Sequence, residues 1–269
     1  MKPNCTFFCY FLTALLVIVL VSILPLCAAQ AQAPGVNPLD AFAQMADSWT
    51  ADESNSSQPS PSELPQPDSE RVVYLTFDDG PDPHWTPKIQ EQLNRFQAKG
   101  TFFVIGRNVV TFPDVVAKLA QDGNTFGNHS FSHQHIAGFG YNDFYAEVAN
   151  TTSALKSALQ ADPELVKLVT PCLRPPFGEV SPSLYQHAGQ MGYAISMWDI
   201  DTHDWMGISD QSILTEVLAN LQPHKIILFH DGGVDRENTV QALGLVLHEL
   251  TQLGYTFQPL CTQQGQVRY

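Results

Sequence analysis

Beyond residue 70 the chain alternates short apolar runs with longer stretches whose apolar residues recur every three or four positions. Val72-Val73-Tyr74-Leu75-Thr76-Phe77 is a run of the first kind, β-branched and aromatic, and it predicts a buried strand. Gly80-Pro81 stops pairing and forces a turn. Thr86-Pro87 then reads as an N-cap and a first helical residue. Ile89, Leu93 and Phe96 form the apolar stripe of that helix, and Gly100 reads as its stop. The same rhythm predicts strands over 101–105, into Asn128-His129, and over 173–177, 193–199, 225–229 and 255–260. Helices are predicted over 113–122, 144–159, 184–191, 213–221 and 239–253. This β-then-α alternation implies a mainly parallel sheet with helices outside. The fold class expected is α/β, a distorted and incomplete (β/α) barrel of about seven parallel strands.

The segment before residue 71 follows another pattern. Phe7 to Leu26 is an almost uninterrupted apolar stretch, preceded by Lys2 and followed by Ala28-Ala29-Gln30-Ala31. Residues 1–31 therefore read as a signal peptide cut after Ala31 or, if uncut, as an N-terminal membrane anchor. Residues 32–70 hold seven acids and no Lys or Arg, and Ser54 to Ser69 is mostly Ser, Pro and Gln. Such a segment cannot bury enough apolar surface to offset its ordering entropy, so it reads as a disordered acidic linker. Residues 71–269 are then an exported domain, secreted or held at the cell surface, touching a membrane only through an uncleaved N-terminal segment.

Charge narrows the partners. Residues 71–269 carry 20 acids and 12 basic residues, a net −8. Nucleic acid demands a basic footprint and is excluded, whereas a neutral polymer remains compatible. Cys172 and Cys261 are the cysteines of this domain. An oxidising compartment permits a disulfide between them, but geometry decides.

In a parallel sheet the carboxyl ends of the strands gather on one rim, and polar residues recur there: Asp78-Asp79, His129 and His133, Arg174, Asp204, His230-Asp231. That is the pattern of a site assembled from several loops. Adjacent carboxylates stay ionised cheaply only with a cation or proton between them. His129 and His133 are four apart, a spacing that one helical turn would bring onto one face. With one carboxylate they make a two-His, one-carboxylate set with open positions, as a catalytic metal requires.

Five stretches in order carry a more specific signal: Thr76-Phe77-Asp78-Asp79-Gly80-Pro81, His129-Ser130-Phe131-Ser132-His133, Arg174-Pro175-Pro176-Phe177-Gly178, Asp201-Thr202-His203-Asp204-Trp205 and Leu228-Phe229-His230-Asp231. Together they resemble the motifs of the NodB-homology polysaccharide deacetylases, carbohydrate esterase family four, over roughly residues 71–265. The resemblance implies a hydrolase that removes acetyl groups from N-acetylated sugars of a polysaccharide, peptidoglycan or chitin-like, with an acetylated glycan as its partner; a monomer is expected. It implies one divalent metal ion, zinc first, held by Asp79, His129 and His133. Asp78 would be the general base and Arg174 its ion-pair partner. His230 would be the acid that protonates the departing amine, tuned by Asp204. The Phe177 backbone N–H would meet the developing oxyanion, Leu228 would line the acetyl pocket and Trp205 would wall the sugar. Loss of Asp78 or His230 is expected to silence the enzyme without unfolding it.

Phe177 departs from a frequent Tyr of the family, and His203 has no implied work. His84 and His135 read as loop or supporting residues, Trp85 and Trp198 as packing, Arg236 and Asn238 as structural, and Asp231 as orienting a neighbour or capping a turn. The competing readings are a non-catalytic glycan-binding module on the same scaffold and a metal-dependent hydrolase of another C–N bond or of xylan O-acetyl esters.

Overall fold

Seven consecutive buried residues form β1 (Val72–Asp78), the centre of the sheet. In the computed structural model, which describes residues 71–261, β1 pairs in parallel with β2 (Gly100–Val104) and β7 (Ile226–His230). Outward from β2 lie β3 (Thr125–Asn128), β4 (Val169–Leu173) and β5 (Ala194–Ile195), and β6 (Ile200–Asp201) flanks β7. The order is β5-β4-β3-β2-β1-β7-β6, with β8 (Thr256–Phe257) paired to the start of β1. Among the described residues β5 pairs only with β4 and β6 only with β7, so the sheet does not close and the fold is the expected distorted, incomplete α/β barrel. The expected leader (1–31) and linker (32–70) lie outside the described residues. Among the described residues, no helix is long and apolar enough to cross a membrane.

Alternation along β1 explains its position. Val73, Leu75 and Phe77 pack into the large core beneath the helices, while Val72 and Tyr74 belong to a separate interior cluster. Side chains of a strand alternate faces, and a strand covered on both faces must be apolar throughout. Phe77 stacks on Phe102 and Phe229, with ring centroids 4.8 Å and 5.8 Å away, joining the three central strands.

The covering helices are α1 (Trp85–Arg95), α2 (Gly106–Thr111), α3 (Pro113–Gln121), α4 (Tyr141–Leu159), α5 (Pro163–Val166), α6 (Pro182–Gln190), α7 (Asp210–Asn220) and α8 (Glu237–Gln252). Thr86 is not the cap of α1. Asp82 accepts the His84 and Trp85 amides there, and Thr86 is buried against Asp231. Gly100 opens β2 rather than ending the helix, because a Cβ there would meet the Phe77 ring at 2.7 Å.

Two expected strands differ more. The strand expected over 173–177 ends at Leu173, and Pro176–Gly178 is a 3₁₀ turn. The strand expected over 193–199 is broken into β5 and β6, with the intervening residues crossing the open side of the barrel. The Ser196 amide still bonds Leu173 of β4, whereas the Asp199 amide bonds Ile226 of β7. Backbone carbonyls stranded by that change of partner need donors. Arg174 provides them: Nε bonds Ser196 O at 3.0 Å and Nη2 bonds Met197 O at 2.9 Å.

Cys172 and Cys261 form a disulfide inside the barrel, closing a separation of 89 residues and tying the chain after β8 to β4. A loop of that length constrains the unfolded chain by about 4.6 kcal/mol in the chain-entropy model. Cys261→Ser is accordingly expected to lower the unfolding free energy by about 3–5 kcal/mol in urea titration. A loss below about 1 kcal/mol would show that the link contributes little beyond the core it sits in.

Candidate active site

The carboxyl ends of β1, β3, β4, β6 and β7 meet at one rim, where the chain leaves each strand abruptly. Asp79 (φ 78°), Ser130 (63°), His133 (57°), Phe177 (61°) and His203 (55°) are left-handed residues in those exits. Each such residue costs about 1–3 kcal/mol unless its surroundings enforce the shape. Here they do. The Asn128 side chain accepts the Ser130 amide, Ser130 Oγ accepts the His133 amide, and Glu147 of α4 accepts the Phe131 and Ser132 amides and the Ser132 hydroxyl. The 129–133 segment is thus a braced loop, not the helical turn expected from the four-residue spacing.

The Asp78-Asp79 turn is braced from the opposite strand. Asp231, fully buried, accepts the Gly80 amide at 3.1 Å and bonds the Thr86 hydroxyl. A Cβ on Gly80 would lie 2.2 Å from the Asp231 carboxylate, and one on Gly232 would lie 2.6 Å from Asp79 O. Those two glycines are therefore required by close approach. Burial pushes the Asp231 carboxyl up to about 7, with the Asp79 and Asp78 charges adding, against the Thr86 and Gly80 hydrogen bonds.

Asp78 and Asp79 separate into two environments. Asp78 Oδ1 accepts from Arg174 Nη1 at 2.8 Å, and the fully buried guanidinium also bonds Thr76 Oγ1 at 2.9 Å and lies 4.1 Å from the Phe103 ring centroid. Asp79 Oδ1 is buried without a hydrogen-bond partner, yet it lies 3.5 Å from His129 Nε2 and 3.1 Å from His133 Nε2. One donor atom from each of Asp79, His129 and His133 falls within 4.8 Å of the others. His129 Nδ1 is held on Arg174 O at 2.8 Å, which leaves Nε2 facing that point. An orphaned carboxylate oxygen beside two imidazole nitrogens, one tethered from behind, fits a divalent cation.

The electrostatics agree. Burial alone would raise Asp79, but the His129 and His133 imidazoles beside it, with His230 adding, hold its carboxyl far below the usual range. Burial would lower His129, but the Asp78 and Asp79 carboxylates raise it. The raised His129 reports the negative charge around it, which a cation would neutralise.

Across the pocket stands His230, whose Nδ1 lies 2.7 Å from Asp204 Oδ1 and whose amide bonds Asp204 Oδ2 at 2.9 Å. Burial opposes charge on both groups, yet their contact outweighs it, raising the imidazole above its ordinary value and lowering the carboxyl. Asp78, Asp79, His129, His133, Phe177, Trp205, Leu228 and His230 line one pocket of about 370 Å³, together with Gly178, Trp198 and Asp201. Arg174 and Asp204 lie behind it, each bonded to a lining residue. Trp198, expected to pack, does so against the interior cluster while also lining the pocket. His135 stacks on exposed Phe177 at 4.2 Å and bonds Glu179 at 3.0 Å. His84 is exposed and away from the rim pocket, as is a larger hollow of about 730 Å³ on the helical surface, which no carboxylate or imidazole lines.

Sequence reasoning missed Glu147 and Thr239. Arg236, read as structural at a helix start, is buried, and Thr239 donates to Asp204 Oδ2 at 3.0 Å.

A family model described as polysaccharide deacetylase matches residues 66–196. A peptidoglycan-N-acetylglucosamine deacetylase of Bacillus cereus is 34% identical over 195 residues, covering 71% of this chain and 87% of its own length. A chitooligosaccharide deacetylase of Bradyrhizobium sp. is 31% identical over 202 residues, covering 71% and 89%. Among solved structures, the Bc1960 peptidoglycan N-acetylglucosamine deacetylase superposes with a TM-score of 0.66 at 33% identity, covering 71% of this chain and 87% of that one.

Proposed function

Because the chain belongs to the polysaccharide deacetylases, metal-dependent hydrolases of sugar acetamides, we propose that its substrate is the N-acetylated sugar of cell-wall peptidoglycan and that the rim pocket performs the hydrolysis. The observation that carries this reading is the orphaned Asp79 Oδ1 between two imidazoles, with a buried carboxylate–arginine pair on one side and a carboxylate–imidazole pair on the other.

Asp79, His129 and His133 would hold the cation, zinc in our reading. When bound, it supplies Lewis acidity to the attacking water and to the acetyl carbonyl. Asp78 takes the proton from that water. Arg174 fixes Oδ1 of Asp78 at 2.8 Å, so Oδ2 is the oxygen left for the proton. The Phe177 amide, set by its left-handed backbone, donates to the oxyanion as charge develops. His230, with Nδ1 committed to Asp204, presents Nε2 to the pocket and gives its proton to the departing amine. Leu228 receives the acetyl methyl, and the exposed Trp205 and Phe177 rings flank the sugar. Residues 1–31 would export the domain, and residues 32–70 would tether or space it from the surface.

The test is acetate release by the full-length chain from N-acetylglucosamine oligomers and from peptidoglycan, before and after chelation. Release from both glycans that chelator abolishes and zinc restores is the expected result. A protein that binds zinc yet releases no acetate from either would instead favour the glycan-binding module.

A further inference from the structure

The first turn of α8 touches the acid side of the pocket, and nothing in the reaction scheme uses it. Arg236 precedes the helix with 3% of its surface exposed. Its Nε donates to Gly232 O at 2.8 Å, while Nη1 is buried with no hydrogen-bond partner. A buried guanidinium with an idle donor is costly unless a nearby anion offsets it. A Cβ built on Gly233 would lie 3.7 Å from Nη2 and 3.8 Å from Asp79 Oδ2, which places the cation under the turn that follows His230. Its charge also acts on Asp204, holding that carboxylate ionised alongside the contacts from His230. Three residues on, Thr239 is buried and its hydroxyl donates to Asp204 Oδ2 at 3.0 Å.

Asp204 therefore receives three donors: His230 Nδ1, the His230 amide and the Thr239 hydroxyl. An ionised carboxylate is acceptor-only, which obliges His230 Nδ1 to carry its proton. That leaves Nε2 as the nitrogen that exchanges a proton with substrate.

We propose that Thr239 is a positioning residue for the acid half of the reaction: from α8 it holds Asp204 as an acceptor, and through it orients His230 toward the leaving amine. This rests on the reading of His230 as the acid. The contribution should appear only where the leaving group needs a proton. A sugar amine is a poor leaving group and requires one, whereas the phenolate released from 4-nitrophenyl acetate does not.

The experiment measures kcat and KM of the zinc-loaded full-length chain on an N-acetylglucosamine oligomer and on 4-nitrophenyl acetate. Thr239→Val is the primary variant because it keeps the shape. Thr239→Ser serves as the rescue. Losing a hydrogen bond or charge contact to an ionised group corresponds to about 10- to 100-fold. Thr239→Val is expected to lose that much in kcat on the glycan, with KM and ester hydrolysis little changed and the rescue recovering most of it. The control is His230→Gln, which should show the same split more strongly. If His230→Gln shows the split and Thr239→Val does not, the positioning role is wrong. Equal losses on both substrates in Thr239→Val would assign Thr239 to folding alone and overturn the proposal too. If His230→Gln itself shows no split, the acid reading falls and the proposal with it.

Discussion

Asp78→Asn is expected to lower kcat on an acetylated glycan by about 10²–10⁴-fold, the loss that accompanies removal of a general base. The same change should also destabilise the protein by about 3 kcal/mol, the lower end of the cost of breaking a buried ion pair. The motif alone implied a nearly silent variant that still folds. The structure adds the loss of stability, because Asp78 is the carboxylate partner of a guanidinium with no exposed surface. Asn retains a carbonyl oxygen for Nη1, and Thr76 Oγ1 and the Phe103 ring stay in place. Those contacts soften the loss without supplying a counter-charge. The double variant Asp78→Asn/Arg174→Met separates the two effects. It should regain part of the lost stability in urea titration and none of the lost activity, although it sacrifices the Arg174 bonds that span the barrel opening. A single variant with kcat within about 10-fold of the parent would remove Asp78 from the role of base. A single variant as stable as the parent would show that the pair contributes nothing net.

The parts of this molecule that were legible in the sequence are those encoded locally. β1 and β7 are continuous apolar runs that stop at charged or polar residues, so both the strands and the rim they point to could be located. The parts that were not legible depend on partners distant along the chain. Four-residue spacing between His129 and His133 is compatible with a helix or a loop, and the choice was made by Asn128, Ser130 and Glu147. Glu147 is 16 residues from Phe131, with no local pattern linking them. The run 193–199 has strand composition throughout, yet only four residues of 194–201 pair as strand, because Arg174 takes the carbonyls that a neighbouring strand would have taken. Arg236 sits where a helix start predicts an exposed residue. The one signal available was Gly232-Gly233 just upstream, since two glycines mark a close backbone approach that leaves a large side chain covered.

Asp79→Asn is expected to weaken zinc binding by more than about 100-fold, beyond the range seen when only a supporting partner of a ligand is lost. Asp79 is the anionic member of the donor set, and its Oδ1 has no hydrogen-bond partner to offset the loss. The substitution leaves the turn intact. Asn tolerates a left-handed backbone, Asp79 O still accepts from Asn108 at 2.9 Å, and Gly80 is still held by Asp231. The change therefore tests ligation, not folding. Thermodynamic linkage turns it into a stability measurement. At zinc 1,000 times the parent's dissociation constant, the parent gains about 4 kcal/mol, while a variant bound 100-fold more weakly gains only about 1.4 kcal/mol. Thermal unfolding of both proteins with chelator and with that zinc concentration reads the difference directly. A parent midpoint that rises with zinc and a variant midpoint that scarcely moves is the expected outcome. Equal rises in the two proteins would place the cation elsewhere and withdraw Asp79, His129 and His133 as its ligands.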